Sequence, residues 1–116
     1  MPPTKLSRSL IMAIAAGGLL FSGASMAQPD ADAARLLFDQ SDCGKCHNPD
    51  KNKKAPSWKK VAKAYKGKAN AEAEVIKQMT KGGKVKLDDG SEEEHKVIET
   101  KDPKALSNMA QWILSH

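Results

Sequence analysis

Five consecutive residues, Cys43-Gly44-Lys45-Cys46-His47, combine two thiols and an imidazole at a spacing with few chemical uses. Cysteines three residues apart sit on neighbouring faces of one helical turn, so both can reach a single planar group. A histidine directly after the second cysteine lies under the centre of that group. C-x-x-C-H at this spacing is the signature of covalent haem attachment: each thiol forms a thioether to one vinyl of the same porphyrin, and the imidazole becomes an axial ligand of the iron. Other chemistries share the bare C-x-x-C. A dithiol oxidoreductase expects a βαβ setting, of which this chain has no pattern. Structural zinc expects a second ligand pair, and the chain holds only two cysteines. A Cys43–Cys46 disulfide would close too short a loop to add much stability.

The segment ahead of this motif reads as a targeting sequence. Lys5 and Arg8 give a positive start, Leu10 to Phe21 is apolar apart from Gly17 and Gly18, and Ala24-Ser25-Met26-Ala27 offers small residues for cleavage. The apolar run is shorter than the roughly 20 residues a spanning helix uses. Residues 1–27 are therefore expected to be a secretory signal peptide, with an uncleaved N-terminal anchor as the alternative, and residues 28–116 one small domain. Export places that domain in an oxidising periplasm, where thioether-bonded cysteines are locked against oxidation. The full chain carries a net charge of +5; without Lys5 and Arg8 it keeps 17 basic against 14 acidic residues. The bases gather between Lys45 and Lys68 and the acids at Asp88, Asp89 and Glu92 to Glu94, a charge dipole and not a polycation. Nucleic acid is excluded as a partner on this pattern. Aromatic residues make up 4% of the chain, so a core this small is marginal without help. A buried haem would act as a large apolar core element.

The elements that must position the motif are helical. Asp30 is placed to cap a first helix with Leu36, Leu37 and Phe38 on its apolar side. The cysteine motif follows at once, so the haem hangs from the end of this helix. A polar, lysine-rich loop from Asn48 to Pro56 leads to Ser57, which caps a second helix with Trp58, Val61, Ala62 and Tyr65 at helical spacing and Gly67 beyond its end. Asn70 caps a third, carrying Val75, Ile76 and Met79 and stopped by Gly82-Gly83. Asp102-Pro103 opens a fourth, with Leu106, Met109, Ala110 and Ile113 on one face. No stretch alternates with a two-residue period, so the fold class is all-α. Lys84 to Lys101 is the longest segment without a helical stripe, and a loop of that length in a compact domain usually serves a function.

Taken together, these residues resemble a class I c-type cytochrome of the small bacterial monohaem kind, over essentially all of residues 28–116. The specific parts are the Cys43–His47 motif and the closing Ala110-Gln111-Trp112-Ile113-Leu114-Ser115; Phe38, Ala55-Pro56-Ser57-Trp58 and Tyr65-Lys66-Gly67 support them. The resemblance implies a cytochrome c fold of about four short helices around one covalently attached haem c, with the first and last helices crossing beside it. It also implies that the Pro56 carbonyl meets the other ring nitrogen of His47, a bond that fixes tautomer and ring orientation, and that Trp112 packs near a propionate. The sequence departs from the family at one point. The usual distal methionine, in a proline-flanked loop before the last helix, is replaced by Glu94-His95-Lys96-Val97.

Candidates for the sixth iron position are then His95, Met79, Met109 and the terminal His116, besides an open or lysine-ligated iron. Met79 and Met109 fall on helical stripes, where methionine usually fills core, and chain ends usually fray. His95 lies on no stripe and in the loop that faces the distal side in this family, so bis-histidine coordination by His47 and His95 is the expected centre. The function expected is an electron carrier, not an enzyme and without a small-molecule substrate. Redox-partner proteins would dock transiently at a surface bearing Lys45, Lys51, Lys53, Lys54, Lys59 and Lys60. The chain would act as a monomer or weak dimer, or as a subunit of a redox complex. The alternative is a haem sensor, or a subunit of a larger redox enzyme, whose distal ligand dissociates.

Overall fold

The computed structural model describes Gly17, Gly18 and residues 28–116; the rest of the expected leader lies outside the described residues. Helix α1 spans Ala31–Gln40, with the Asp30 carboxylate accepting from the Ala33 N–H at its start. Ala34 and Phe38 form its buried face and Leu37 packs beside them. Leu36, expected on that side, is 58% exposed. Two residues from both Ala34 and Phe38, it points away from the face those two share.

Helix α2 spans Trp58–Tyr65 and is capped by Ser57, whose hydroxyl accepts from the Lys60 N–H. Helix α3 spans Ala71–Lys81; Asn70 stands at its cap position, but its side chain makes no capping bond. Helix α4, Pro103–Leu114, begins as its sequence predicts, with the Asp102 carboxylate accepting from the Lys104 N–H and proline in the first turn. Four buried residues of α4, Met109, Ala110, Trp112 and Ile113, make it the hub against which α1, α2 and α3 all pack. Asn108 of α4 clasps the start of α1 from both sides, accepting from the Asp30 N–H at 2.8 Å and donating to the Asp30 carbonyl at 2.9 Å. Glu72 of α3 accepts from both Ser107 and Gln111 of α4. Phe38 stands edge-on to Trp58 and to Trp112, with ring centres 5.9 and 6.0 Å apart, an arrangement that suits the ring quadrupoles.

Between α3 and α4 the structure departs from the expected loop. Lys84–Lys86 (β1) and Glu92–Glu94 (β2) pair antiparallel, with Lys84 opposite Glu94, Val85 opposite Glu93 and Lys86 opposite Glu92. Only Val85 among these residues is apolar, so no two-residue alternation was there to find. Opposed Lys–Glu pairs suit an exposed two-stranded ribbon. Its turn is set by Leu87-Asp88-Asp89-Gly90, with the Gly90 N–H bonded to the Leu87 carbonyl and glycine at a φ of 86°. The domain remains all-α apart from this small hairpin, and the hairpin ends directly at His95.

Candidate cofactor site

The chain leaves α1 through Asp42, which takes a left-handed φ of 58°, a conformation that aspartate tolerates better than most residues. This reversal sets up a 3₁₀ turn over Cys43–Lys45, so both thiols and the His47 ring come off one tight turn, as the motif spacing requires. The two cysteines are free and half-buried. Burial pushes the Cys43 thiol up to about 11, and the carboxylates of Asp42 and Asp39 add to the rise. Gly44 lets the turn lie against α1. A Cβ there would stand 3.0 Å from Cε1 and 3.3 Å from Cζ of Phe38, whose ring is wedged between two tryptophans. Gly44→Ala is expected to lower the stability of the haem-loaded protein by about 1–3 kcal/mol, the range for overpacking a filled core. Denaturant unfolding followed by tryptophan fluorescence measures this, and an unchanged midpoint would mean that Phe38 can give way freely.

His47 is held from two directions. Its Nδ1 lies 2.6 Å from the Pro56 carbonyl, so that nitrogen carries the proton and donates, and Nε2 is left as the lone-pair side. The Trp58 indole stacks on the ring with centres 4.3 Å apart and planes 24° from parallel. Burial holds the imidazole below its ordinary range, which keeps it in the neutral form that can bind a metal. The loop from Asn48 to Pro56 is fixed to the turn by the Ala55 N–H on the Cys46 carbonyl and by Lys53 Nζ on the Gly44 carbonyl.

A cavity of about 340 Å³ opens beside this turn. Cys43, Cys46 and His47 lie on its wall together with Pro56 and Trp58, and the hairpin closes the other side with Val85, Leu87 and His95. Met79 and Met109 form part of its apolar floor; both are buried, Met109 completely, inside the main core. The His95 ring faces His47 with ring centres 6.3 Å apart and planes at 67°. Its backbone N–H is fixed to the Gly83 carbonyl at 2.8 Å. Its Nδ1 is buried without a hydrogen-bond partner among the described residues. That nitrogen gives the ring no polar brace, and the half-buried imidazole lines the same apolar cavity as His47, a setting that fits a planar group between the two rings. The residues present therefore suit a haem: two thiols and the His47 imidazole on one wall of an apolar slot, with the His95 ring across it.

The structure brings Cys43, Cys46, His47, Pro56 and His95 to one cavity. Trp112 is not on its wall. That ring is buried between Phe38, the Arg35 guanidinium 5.8 Å above its centre, and His116 edge-on at 5.0 Å. His116 bonds through Nδ1 to the Trp112 carbonyl and likewise stands away from the cavity. One residue carries more than its sequence pattern suggests. Trp58 reads as the first apolar position of α2, yet its closest aromatic partner is His47. The signal was its place two residues after Pro56, since the carbonyl that grips His47 and the indole that covers it come off the same short stretch.

Helices crossing on a cysteine-anchored turn, with an imidazole in a carbonyl-fixed tautomer, define the architecture of a c-type haem domain. Residues 31–116 match the family model for cytochrome c, and the chain belongs to that family. Cytochrome c-551 of Pseudomonas aeruginosa is 34% identical over 74 residues, 64% of this chain and 66% of that protein. Cytochrome c2 of Rhodocyclus tenuis is 43% identical over 47 residues, covering 40% of this chain and 51% of its own length. The chain thus spans about half to two thirds of these relatives. Among solved structures, the class 1 cytochrome MtoD of Sideroxydans lithotrophicus ES-1 superposes with a TM-score of 0.71 at 52% identity, over 75% of this chain and 96% of that one. Nitrosomonas europaea cytochrome c552, at 20% identity and a TM-score of 0.54, shares the fold. Family membership brings with it a haem c, covalently attached through the two cysteines.

Proposed function

We propose that this protein is a one-electron carrier whose haem is attached through Cys43 and Cys46 and ligated axially by His47 and His95. The observation that carries the reading is the separation of the two imidazoles. Rings bound to one metal at about 2.0 Å, with each centre ~1.2 Å beyond its nitrogen, stand roughly 6.4 Å apart. Here the centres are 6.3 Å apart across an apolar cavity. The haem, when bound, supplies an iron that accepts and returns one electron. The chain's own residues do the rest. His47 is kept neutral by burial and in one tautomer by the Pro56 carbonyl, and the hairpin carries His95 to the other side of the cavity, where it would meet the opposite face. Apolar walls limit water around the changing charge, and two ligands that both stay in place keep reorganisation small. Imidazole donates more strongly than a thioether and favours ferric iron, so the potential should lie below that of a methionine-ligated relative. Residues 1–27 act as a cleaved export leader and residues 28–116 as the haem domain, working in the periplasm. The near-infrared magnetic circular dichroism of the ferric protein tests the ligand set directly. A bis-imidazole charge-transfer band is expected, and a sulfur-to-iron band would transfer the distal role to Met79 or Met109.

Docking of redox partners is expected at the lysine-rich face around the attachment loop. Four of its six lysines already have company. Lys45 pairs with Asp42, Lys59 pairs with Asp50 at 3.2 Å, Lys53 donates to the Gly44 carbonyl, and Lys54 lies near Asp89, whose carboxyl is held below its usual range chiefly by its Ser91 bonds. Lys51 and Lys60 make no ion pair among the described residues, so they are the positions where charge reversal should act on a partner and not on the fold. The Lys51→Glu/Lys60→Glu double variant should slow electron transfer to an acidic partner roughly threefold or more at low salt. The gap should narrow at physiological ionic strength, where charges are screened over about 8 Å. Stopped-flow rates across a salt series make the comparison, and equal rates throughout would leave these lysines as solvated surface.

A second reading has its own observation. His95 Nδ1 has no partner to steady the ring, unlike His47 Nδ1, and the hairpin carrying it springs from Gly82-Gly83 with positive φ at both. A distal ligand so weakly braced suits a sensor whose iron opens to a gas. Carbon monoxide added to the reduced protein separates the two: rapid, complete binding favours the sensor, and its absence favours the carrier.

A further inference from the structure

His47 and His95 are not aligned: their ring planes cross at 67°. The angle between two axial imidazoles has an electronic consequence. Each ring donates through a π orbital perpendicular to its own plane, toward whichever iron d orbital lies in that direction. Aligned rings both raise the same orbital and split the pair, and the hole of ferric iron settles in the raised one, which stabilises the ferric state. Crossed rings raise both members together, leave them close in energy and forgo that stabilisation.

The restraints on the two rings are unequal. On the proximal side there are two of independent kind. The bond from Nδ1 to the Pro56 carbonyl, 2.6 Å long, lies at the ring's edge and resists swinging. The Trp58 indole, 24° from parallel at 4.3 Å, lies on the ring's face and resists rotation out of that plane. Trp58 is itself fixed, 5% exposed, with Phe38 edge-on against it and Ser57 capping the helix it begins. His95 has neither restraint. Its backbone is pinned to the Gly83 carbonyl, and its ring is seated by packing alone. Any departure from the crossed arrangement is therefore opposed mainly from the His47 side.

We propose that Trp58 is a positioning residue for the axial pair: stacked on His47, it holds the proximal ring across the plane of His95, and this crossing sets the electronic state of the iron. The inference rests on bis-histidine ligation and goes beyond it, because the same two ligands could equally be aligned. It assigns Trp58 a role distinct from that of Pro56, which selects the tautomer, and distinct from core filling by α2.

Two measurements on the ferric holoprotein separate this inference from the reading beneath it. Near-infrared magnetic circular dichroism reports ligand identity irrespective of ring angle, whereas low-temperature electron paramagnetic resonance reports the angle. The expected result is a bis-imidazole band with a single dominant signal at low field, the mark of crossed rings. A bis-imidazole band with an ordinary three-line rhombic spectrum would overturn the inference and leave the ligation standing. A methionine band would remove the ligation, and the inference with it. Trp58→Leu should then lose the low-field signal and lower the midpoint potential while the near-infrared band stays in place. Trp58→Phe, which keeps a flat face on His47, should restore both. A low-field signal that persists unchanged in Trp58→Leu would overturn the role given to Trp58. Should the leucine variant not fold, a rhombic spectrum in wild type or in Trp58→Phe still decides against the proposal.

Discussion

Cys43→Ala and Cys46→Ala are each expected to impair haem attachment severely and, with it, to deplete the folded population. In the wild-type protein the colour should survive denaturation and extraction with acidic acetone; in either variant less haem should be attached, and any held by the iron ligands alone should be extracted. The reasoning starts from bond formation. Each thioether forms when an S–H adds across a vinyl group, making one S–C and one C–H bond with no electron lost, so both thiols must arrive reduced and at the right edge of the ring. The Cys43–Lys45 turn arranges this by bringing both thiols to one side of the cavity. Attachment should need a host with cytochrome maturation machinery. The effect on folding follows from the cavity. About 340 Å³ is bounded by residues of the Cys43–His47 turn, α2, α3, α4 and the hairpin, and without the haem these walls have little to rest on. A chain this small has little stability in reserve. The remaining cysteine can still form one thioether, so each single variant should keep a reduced, non-extractable fraction, while the double variant should lose all its haem to acidic acetone. The check is haem stain after denaturing electrophoresis together with far-ultraviolet circular dichroism. A colourless wild-type protein that unfolds cooperatively after expression in such a host would refute the central reading.

The parts of this fold that the sequence made legible are those where a local signal and the tertiary demand agree. Asp102-Pro103 could start a helix, and it does. Asp30 and Ser57 act as caps as their positions predict, and the apolar stripes of α2, α3 and α4 all face inward. The cysteine motif was legible because its chemistry is local, confined to one turn. The hairpin was not. Its strands hold one apolar residue against five charges, and what stabilises it is register, Lys84 opposite Glu94 and Lys86 opposite Glu92, which is a pairing between segments and not a period within either. Asn70 illustrates the converse: the right residue stood at the helix start, but its backbone, at φ −100° and ψ 15°, does not take the extended conformation of a capping residue. Trp112 and Trp58 show the same limit for side chains. Both tryptophans fall on buried helical faces, and only the packing angles between helices decide that Trp58 covers His47 while Trp112 is enclosed by Phe38, Arg35 and His116. His95 was marked by what surrounds it in the chain, an off-stripe histidine where a family loop is missing. The hairpin that presents it to the cavity emerges only in three dimensions.

His95→Ala should have the second of the two large effects, and it acts on the iron and not on attachment. Under the ligation proposed above, His95, whose ring stands 6.3 Å from that of His47 across the apolar cavity, fills the sixth position, and its removal should open it. The ferric protein should change from low-spin to high-spin or water-ligated, a shift read directly in the Soret and visible bands. Exogenous imidazole should restore the low-spin spectrum, and the reduced variant should bind carbon monoxide that the parent excludes. Folding should be less affected than by loss of a cysteine, because the covalent anchor and the proximal side remain. The hairpin keeps its own ladder and its bonds to Lys54 and Gly83 whatever side chain stands at position 95. Removal even relieves one cost, the unpartnered buried Nδ1. Met79 and Met109 supply the contrast. Both lie on the cavity floor but are packed into the main core, 7% and 0% exposed, and neither can approach the iron without leaving that packing. Replacing them should lower stability and leave the ligand spectrum alone. His95→Met is the complementary change: if the hairpin delivers the sulfur, a sulfur-to-iron band should appear and the potential should rise, because a thioether favours ferrous iron. A low-spin ferric spectrum that survives intact in His95→Ala would move the distal role to one of the two methionines, and the expectation of a low potential would go with it.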